Sequence, residues 1–199
     1  MKRFIVLFAT LITLLIAGCI PFLSGATWPN TPGERRDQPV HVNIDKDFSV
    51  QQRKWIAQAM DAWEIASSGK VKFQPVWDVS KPGPFQQIYP FNWSQGIFMW
   101  DLPKDPYNLS PSQLEQAKPL GGLTIYGPGQ NAAHVIVYTD VPDKLFYAVA
   151  LHELGHLIGL NHIDGKAVMH KNVKAQCITA LDAQQLCEIY GCKPKPNCD

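Results

Sequence analysis

Residues 152–162 read His152-Glu153-Leu154-Gly155-His156-Leu157-Ile158-Gly159-Leu160-Asn161-His162, and this stretch decides the fold. On a helix, residues four apart share a face, so His152 and His156 aim their imidazoles at one point. Glu153 follows the first of them, which sets its carboxylate beside that point and not on it. Gly159 can adopt a positive φ, ending the helix and turning the chain. The turn carries His162 back as a third nitrogen. Three imidazoles fit one Zn2+ and leave its fourth tetrahedral position to water, as a catalytic ion requires. A site that merely stores or is braced by metal has no use for a carboxylate beside its ligands.

Further along, Met169 in Val168-Met169-His170 lies seven residues past His162. Motif and methionine together resemble the metzincin zinc peptidases, whose H-E-x-x-H-x-x-G-x-x-H signature is followed by a methionine turn. The short gap, with Leu181-Asp182 and Ile189-Tyr190-Gly191, is most similar to the matrixin branch, and the likeness spans roughly residues 40–191. It implies an α+β zincin fold, in which a twisted mixed sheet packs on an active-site helix and a C-terminal helix follows. It implies that Met169 floors the metal site and that Glu153 is the catalytic base of a metalloendopeptidase. An extended peptide or protein substrate would lie along an edge strand, by position Gly122 to Tyr126.

Two departures stand beside the likeness. Ile163 follows the third histidine where matrixins carry a small hydroxyl residue, and residues 20–39 hold no cysteine for a switch-type propeptide. His134 is the candidate remnant of the family's structural zinc site. Taken alone, a lone histidine opening a strand is expected to be exposed, and His41 and His170 read the same way. Neither a structural Ca2+ nor a second Zn2+ is assigned.

Working outward, Val40 to Ile44 alternates as a strand. Ser49 caps a helix running to about Ser67, with Trp55, Ile56, Ala59, Ala62, Trp63 and Ala66 at helical spacing. Val71 to Val76 is a second strand, with Pro75 marking an edge. Residues 78–95 are irregular, Gly96 to Trp100 is a short strand, and Ser110-Pro111 starts a helical turn. Leu123 to Tyr126 and His134 to Tyr138 are further strands. A helix spans Asp143 to Leu160, and a last one runs from Thr179, capped with Asp182, to Tyr190.

Lys2 and Arg3 precede an apolar run from Phe4 to Ala17 that ends in Ala17-Gly18-Cys19. A basic start, an apolar stretch and small residues at a cleavage point describe an export signal over residues 1–18. Leu15-Ile16-Ala17-Gly18-Cys19 also resembles the lipobox of bacterial lipoproteins, which implies lipidation of Cys19 and attachment to a bacterial membrane, the domain facing periplasm or cell exterior. Residues 19–39 would be a flexible tether reaching roughly 25 Å, and residues 40–199 the catalytic domain. An uncleaved membrane helix from Phe4 is the competing reading, disfavoured by Pro21 and the small residues beside Cys19.

The other cysteines, Cys177, Cys187, Cys192 and Cys198, fall close together near the C-terminus. An even cluster in an exported chain reads as two disulfides, with three pairings open. Formal net charge is +1 without a Lys/Arg stripe, which excludes nucleic acid as the expected partner. A monomer is expected. Hydrophobic residues at 46% and charged residues at 18% suffice to close a single core. The competing functions are a catalytically silent zinc-binding surface lipoprotein and a hydrolase of cell-wall peptides.

Overall fold

A computed structural model describes residues 38–80, 97–102, 121–126, 133–138 and 141–198. The segment read as an export signal, Cys19, most of the stretch read as a tether, most of residues 78–95 read as irregular and the helical turn expected at Ser110-Pro111 lie outside the described residues.

Strand β1 (Val40–Asp45) buries Val40, Val42 and Ile44 and exposes His41, the alternation its sequence dictates. Helix α1 (Val50–Ala66) begins at Ser49, whose hydroxyl accepts from the Gln52 backbone while the Gln52 side chain accepts from the Ser49 backbone. This capping box satisfies two otherwise orphaned donors. Strand β2 (Phe73–Val79) starts later than the sequence reading and runs further. It pairs parallel to β1, with Pro75 opposite Val42. A parallel pair needs a crossover, and α1 supplies it.

Strands β3 (Ile97–Leu102), β4 (Gly122–Tyr126) and β5 (Ala133–Tyr138) complete a sheet of order β2-β1-β3-β5-β4. Pro75 therefore sits on an edge strand, where a missing N–H is tolerated. All pairings are parallel except β4 with β5, so the sheet is mixed and β4 is its antiparallel edge. Helix α2 (Asp143–Leu157) and helix α3 (Ala180–Tyr190) follow.

One buried cluster joins the sheet (Val42, Ile44, Met99, Val135) to α1 and α2 (Trp63, Phe146, Leu154). Trp63 Nε1 donates to the Leu151 carbonyl at 2.8 Å, which gives the buried indole a partner and pins α1 to α2.

Three expectations need correction. Helix α2 ends at Leu157, not Leu160, because the Gly159 and Leu160 amides turn back to His156 and Gly155. His134 is buried: every residue of β5 is, since both faces of an inner strand are covered. His170 is buried too, its Nδ1 accepting from the Asn172 backbone at 3.1 Å.

Candidate active site

Helix α2 is buried along most of its length, and its last turns carry the site. His152 Nδ1 bonds the Val168 carbonyl at 2.7 Å, and His156 Nδ1 bonds the Leu160 carbonyl at 2.9 Å. Carbonyls only accept, so both hydrogens sit on Nδ1 and both Nε2 atoms present bare lone pairs. Past the helix, Gly159 has φ 97° and the chain reverses, returning His162. The three Nε2 atoms then stand 3.0, 3.2 and 3.3 Å apart. Two facing lone pairs cannot hydrogen-bond one another. A cation between them resolves the conflict, and a zinc ion with bonds of about 2.0–2.1 Å has tetrahedral edges of about 3.3 Å. The residues fit the ion.

Among the described residues this is the group of His, Cys, Asp and Glu side chains close enough to share a metal. His152 is buried, His156 half-buried and His162 exposed, so the site opens to solvent on the His162 side. Burial lowers His152 to about 4 and His156 to about 3. Partial shielding, then His170 and Lys171, lowers His162 as well. The imidazoles of the metal-free fold are thus neutral and ready to ligate at ordinary pH.

Glu153, next along the helix from His152, faces β4. It is 5% exposed, and burial pushes its carboxyl up to about 8, partly offset by the hydroxyl of Thr124. Thr124 Oγ1 lies 2.7 Å from Glu153 Oε2. A dication nearby favours the ionised carboxylate and reverses the effect of burial.

Between the two helical histidines in sequence, Gly155 packs against Met169. A Cβ on Gly155 would collide with the Met169 sulfur and stand 2.9 Å from Trp63 Cζ2. The Val168 and Met169 amides donate to Asp182 at 3.0 and 2.9 Å, and the same carboxylate caps α3 through the Thr179 amide and hydroxyl. Two more α3 side chains grip the turn after α2: Gln185 Oε1 accepts from the Asn161 amide, and the Tyr190 hydroxyl donates to the Ile158 carbonyl. Disulfides join Cys177 to Cys198 and Cys187 to Cys192, which selects one of the three pairings.

Converging histidines, a glycine turn and Met169 packed on Gly155 of the same helix now stand together with a mixed sheet and its edge strand. A scan of protein-family models matches matrixin over residues 22–191. The chain belongs to the matrixin family. As a matrixin it is a zinc metalloendopeptidase with a matrixin-like zincin fold. A search of curated proteins finds no match.

The matched span begins at residue 22, inside the stretch read as a tether. Two disulfides in this matrixin suit an exported protein in an oxidising compartment. Among the described residues no helix is long and apolar enough to cross a membrane.

Sequence reasoning missed three parts of the site. Asp182 was legible as a cap, but not as the group holding the methionine turn. Gln185 carried no signal beyond its place on a helix, and Tyr190 was read only within the matrixin likeness, not as a partner of the turn after α2. Thr124 was within a recognised strand, and the preceding Gly121-Gly122 pair, a mark of close backbone approach, was the available clue.

Proposed function

We propose that this matrixin hydrolyses peptide bonds in proteins or peptides outside the cytoplasm, with Glu153 as general base. One observation carries the reading: a buried carboxylate sits next in sequence to a converging imidazole, yet is absent from the converging set. Bound zinc would lower the pKa of water toward about 7 and polarise the scissile carbonyl. His152, His156 and His162 would hold the ion, their tautomers fixed for the first two by the backbone carbonyls on Nδ1. Glu153 takes the proton from the attacking water and returns it to the leaving amine.

The substrate, in this reading, is an extended segment that pairs with β4. Edge strands offer unpaired backbone donors and acceptors, and β4 has β5 on one side only among the described residues. Glu153 borders that same strand. The lipid anchor at Cys19 and the tether to residue 39 belong to this proposal, placing a monomeric domain at a bacterial membrane surface, outside the cytoplasm.

The test is Glu153→Gln. It should keep stoichiometric zinc and lose about 10²–10⁴-fold in kcat on casein or a cleaved peptide. Turnover near that of the unaltered protein, with the chelator-treated protein inactive, would remove Glu153 from the role.

A further inference from the structure

We propose that Thr124 is the positioning residue for Glu153, its hydroxyl fixing which carboxylate oxygen is held and which is left to take the proton. The inference rests on the general-base reading and goes one step beyond it.

Strand β4 approaches α2 closely, and Gly122 with Gly121 just before the strand makes that possible. A Cβ on Gly121 would lie 2.6 Å from Val149 Cγ2. A Cβ on Gly122 would lie 2.7 Å from Glu153 Cγ, 2.7 Å from the Ile136 carbonyl oxygen and 3.0 Å from Glu153 Oε1. Gly122 thus lies against the Glu153 stem and one carboxylate oxygen, with room for no side chain. Two residues along the strand, on the same face, Thr124 reaches the other oxygen. Its Oγ1 is 2.7 Å from Oε2 and 3.1 Å from the backbone carbonyl of the same Glu153.

This arrangement constrains Glu153 in two ways. The stem has a glycine face behind it, so swinging toward β4 is blocked by backbone, which cannot yield as a flexible side chain would. The Oε2 end is held by the one hydroxyl that bonds it among the described residues. Because Thr124 also lies within reach of the Glu153 main-chain oxygen, head and root of the side chain are referenced to one atom. A hydroxyl has a single hydrogen, and the shorter contact is the carboxylate one. Oε1 is then the oxygen left to accept a proton. A long acidic side chain has several accessible rotamers, and most would place its oxygens elsewhere. Thr124 removes that freedom before substrate arrives.

The experiment compares Thr124→Val, which keeps shape and removes the hydroxyl, with Thr124→Ser, which keeps the hydroxyl and removes the methyl. Zinc-loaded Thr124→Val should lose about 100-fold in kcat, the scale of an ångström-sized misplacement, with little change in KM and full zinc content. Thr124→Ser should recover most of that loss. A crystal structure of zinc-loaded Thr124→Val should show the Glu153 side chain displaced from its present rotamer. Should valine prove too disruptive to fold, alanine against serine makes the same comparison, since they differ only by the hydroxyl. The proposal is overturned if valine or alanine retains kcat within about threefold, or if serine falls as far as its hydroxyl-free counterpart. Failure of the general-base reading would look different: Glu153→Gln would then stay active, whatever Thr124 does.

Discussion

The floor and the rim of this active site are built on the same helix by different means. On the floor side, α3 reaches the chain that follows α2 at three places: Asp182 to the Val168 and Met169 amides, Gln185 to Asn161, and Tyr190 to Ile158. Two disulfides tie together the chain that carries α3. On the rim, β4 has β5 alone beside it among the described residues, and it meets Glu153 through glycine backbone and one hydroxyl. Among the described residues, the floor is held at several points and the rim by fewer. Metal geometry should therefore depend on the floor and base orientation on the rim, so that damage to one costs zinc and stability while damage to the other costs turnover.

The largest expected effect is on the floor. Asp182 is fully buried and accepts from two amides of the methionine turn as well as from Thr179. Asp182→Ala leaves buried donors without partners, a loss on the order of 4 kcal/mol. That corresponds to a fall of about 10 °C in melting temperature for a domain of this size. Zinc content should fall with it, because the Val168 carbonyl that orients His152 belongs to the same turn. A melting temperature unchanged within about 2 °C, with zinc retained, would show that α3 does not hold the floor.

How far all this was legible in the sequence depended on the distance between partners. The three imidazoles fall within eleven residues, so helical spacing and one glycine bend sufficed to bring them together. Two helix starts were legible for the same reason: Ser49 as a cap, and Thr179 with Asp182 three residues on, act within one turn. Contacts between distant segments carried no comparable mark. Thr124 reaches a residue 29 positions on, and Trp63 a carbonyl 88 positions on. The disulfide pairing stayed open because four clustered cysteines are all near one another in any compact tail. The burial of His134 and His170 went unread because periodicity shows which face a residue is on, but not what covers that face.

His134 provides the next test, on the rim side of the sheet, where it pairs with Ile125 of β4. Burial lowers it from 6.5 to about 4. The folded protein then keeps it neutral between those values while the unfolded chain protonates it. Its contribution is intact above pH 6.5 and is lost as pH falls toward 4, at up to about 1.4 kcal/mol per unit. Urea midpoints of the unaltered protein and His134→Gln should converge between pH 7 and pH 5, by about 2 kcal/mol in stability. Taking the difference cancels proton competition for zinc, which affects both proteins alike. Parallel curves would mean that the sheet beneath the rim is no more acid-sensitive than the floor.

The smallest effect returns to the floor, at Gly155, where two principles oppose each other. Alanine in a helix interior is favoured over glycine by about 1 kcal/mol. Yet the added methyl would overlap the Met169 sulfur and come within 2.9 Å of Trp63 Cζ2. Met169 is flexible and can move, whereas Trp63 is fully buried and held by its bond to the Leu151 carbonyl, so the indole cannot retreat without giving that bond up. Overpacking of this kind costs about 1–3 kcal/mol, and we expect it to win by about 1 kcal/mol. Gly155→Ala should therefore melt slightly lower and bind zinc less tightly, because a displaced Met169 disturbs the adjoining Val168 carbonyl, which orients His152. On the contrast between floor and rim, its kcat at saturating zinc should stay near that of the unaltered protein, the opposite of Thr124→Val. A Gly155→Ala protein that melted higher would show Met169 yielding freely, and the floor would then be as adaptable as the rim.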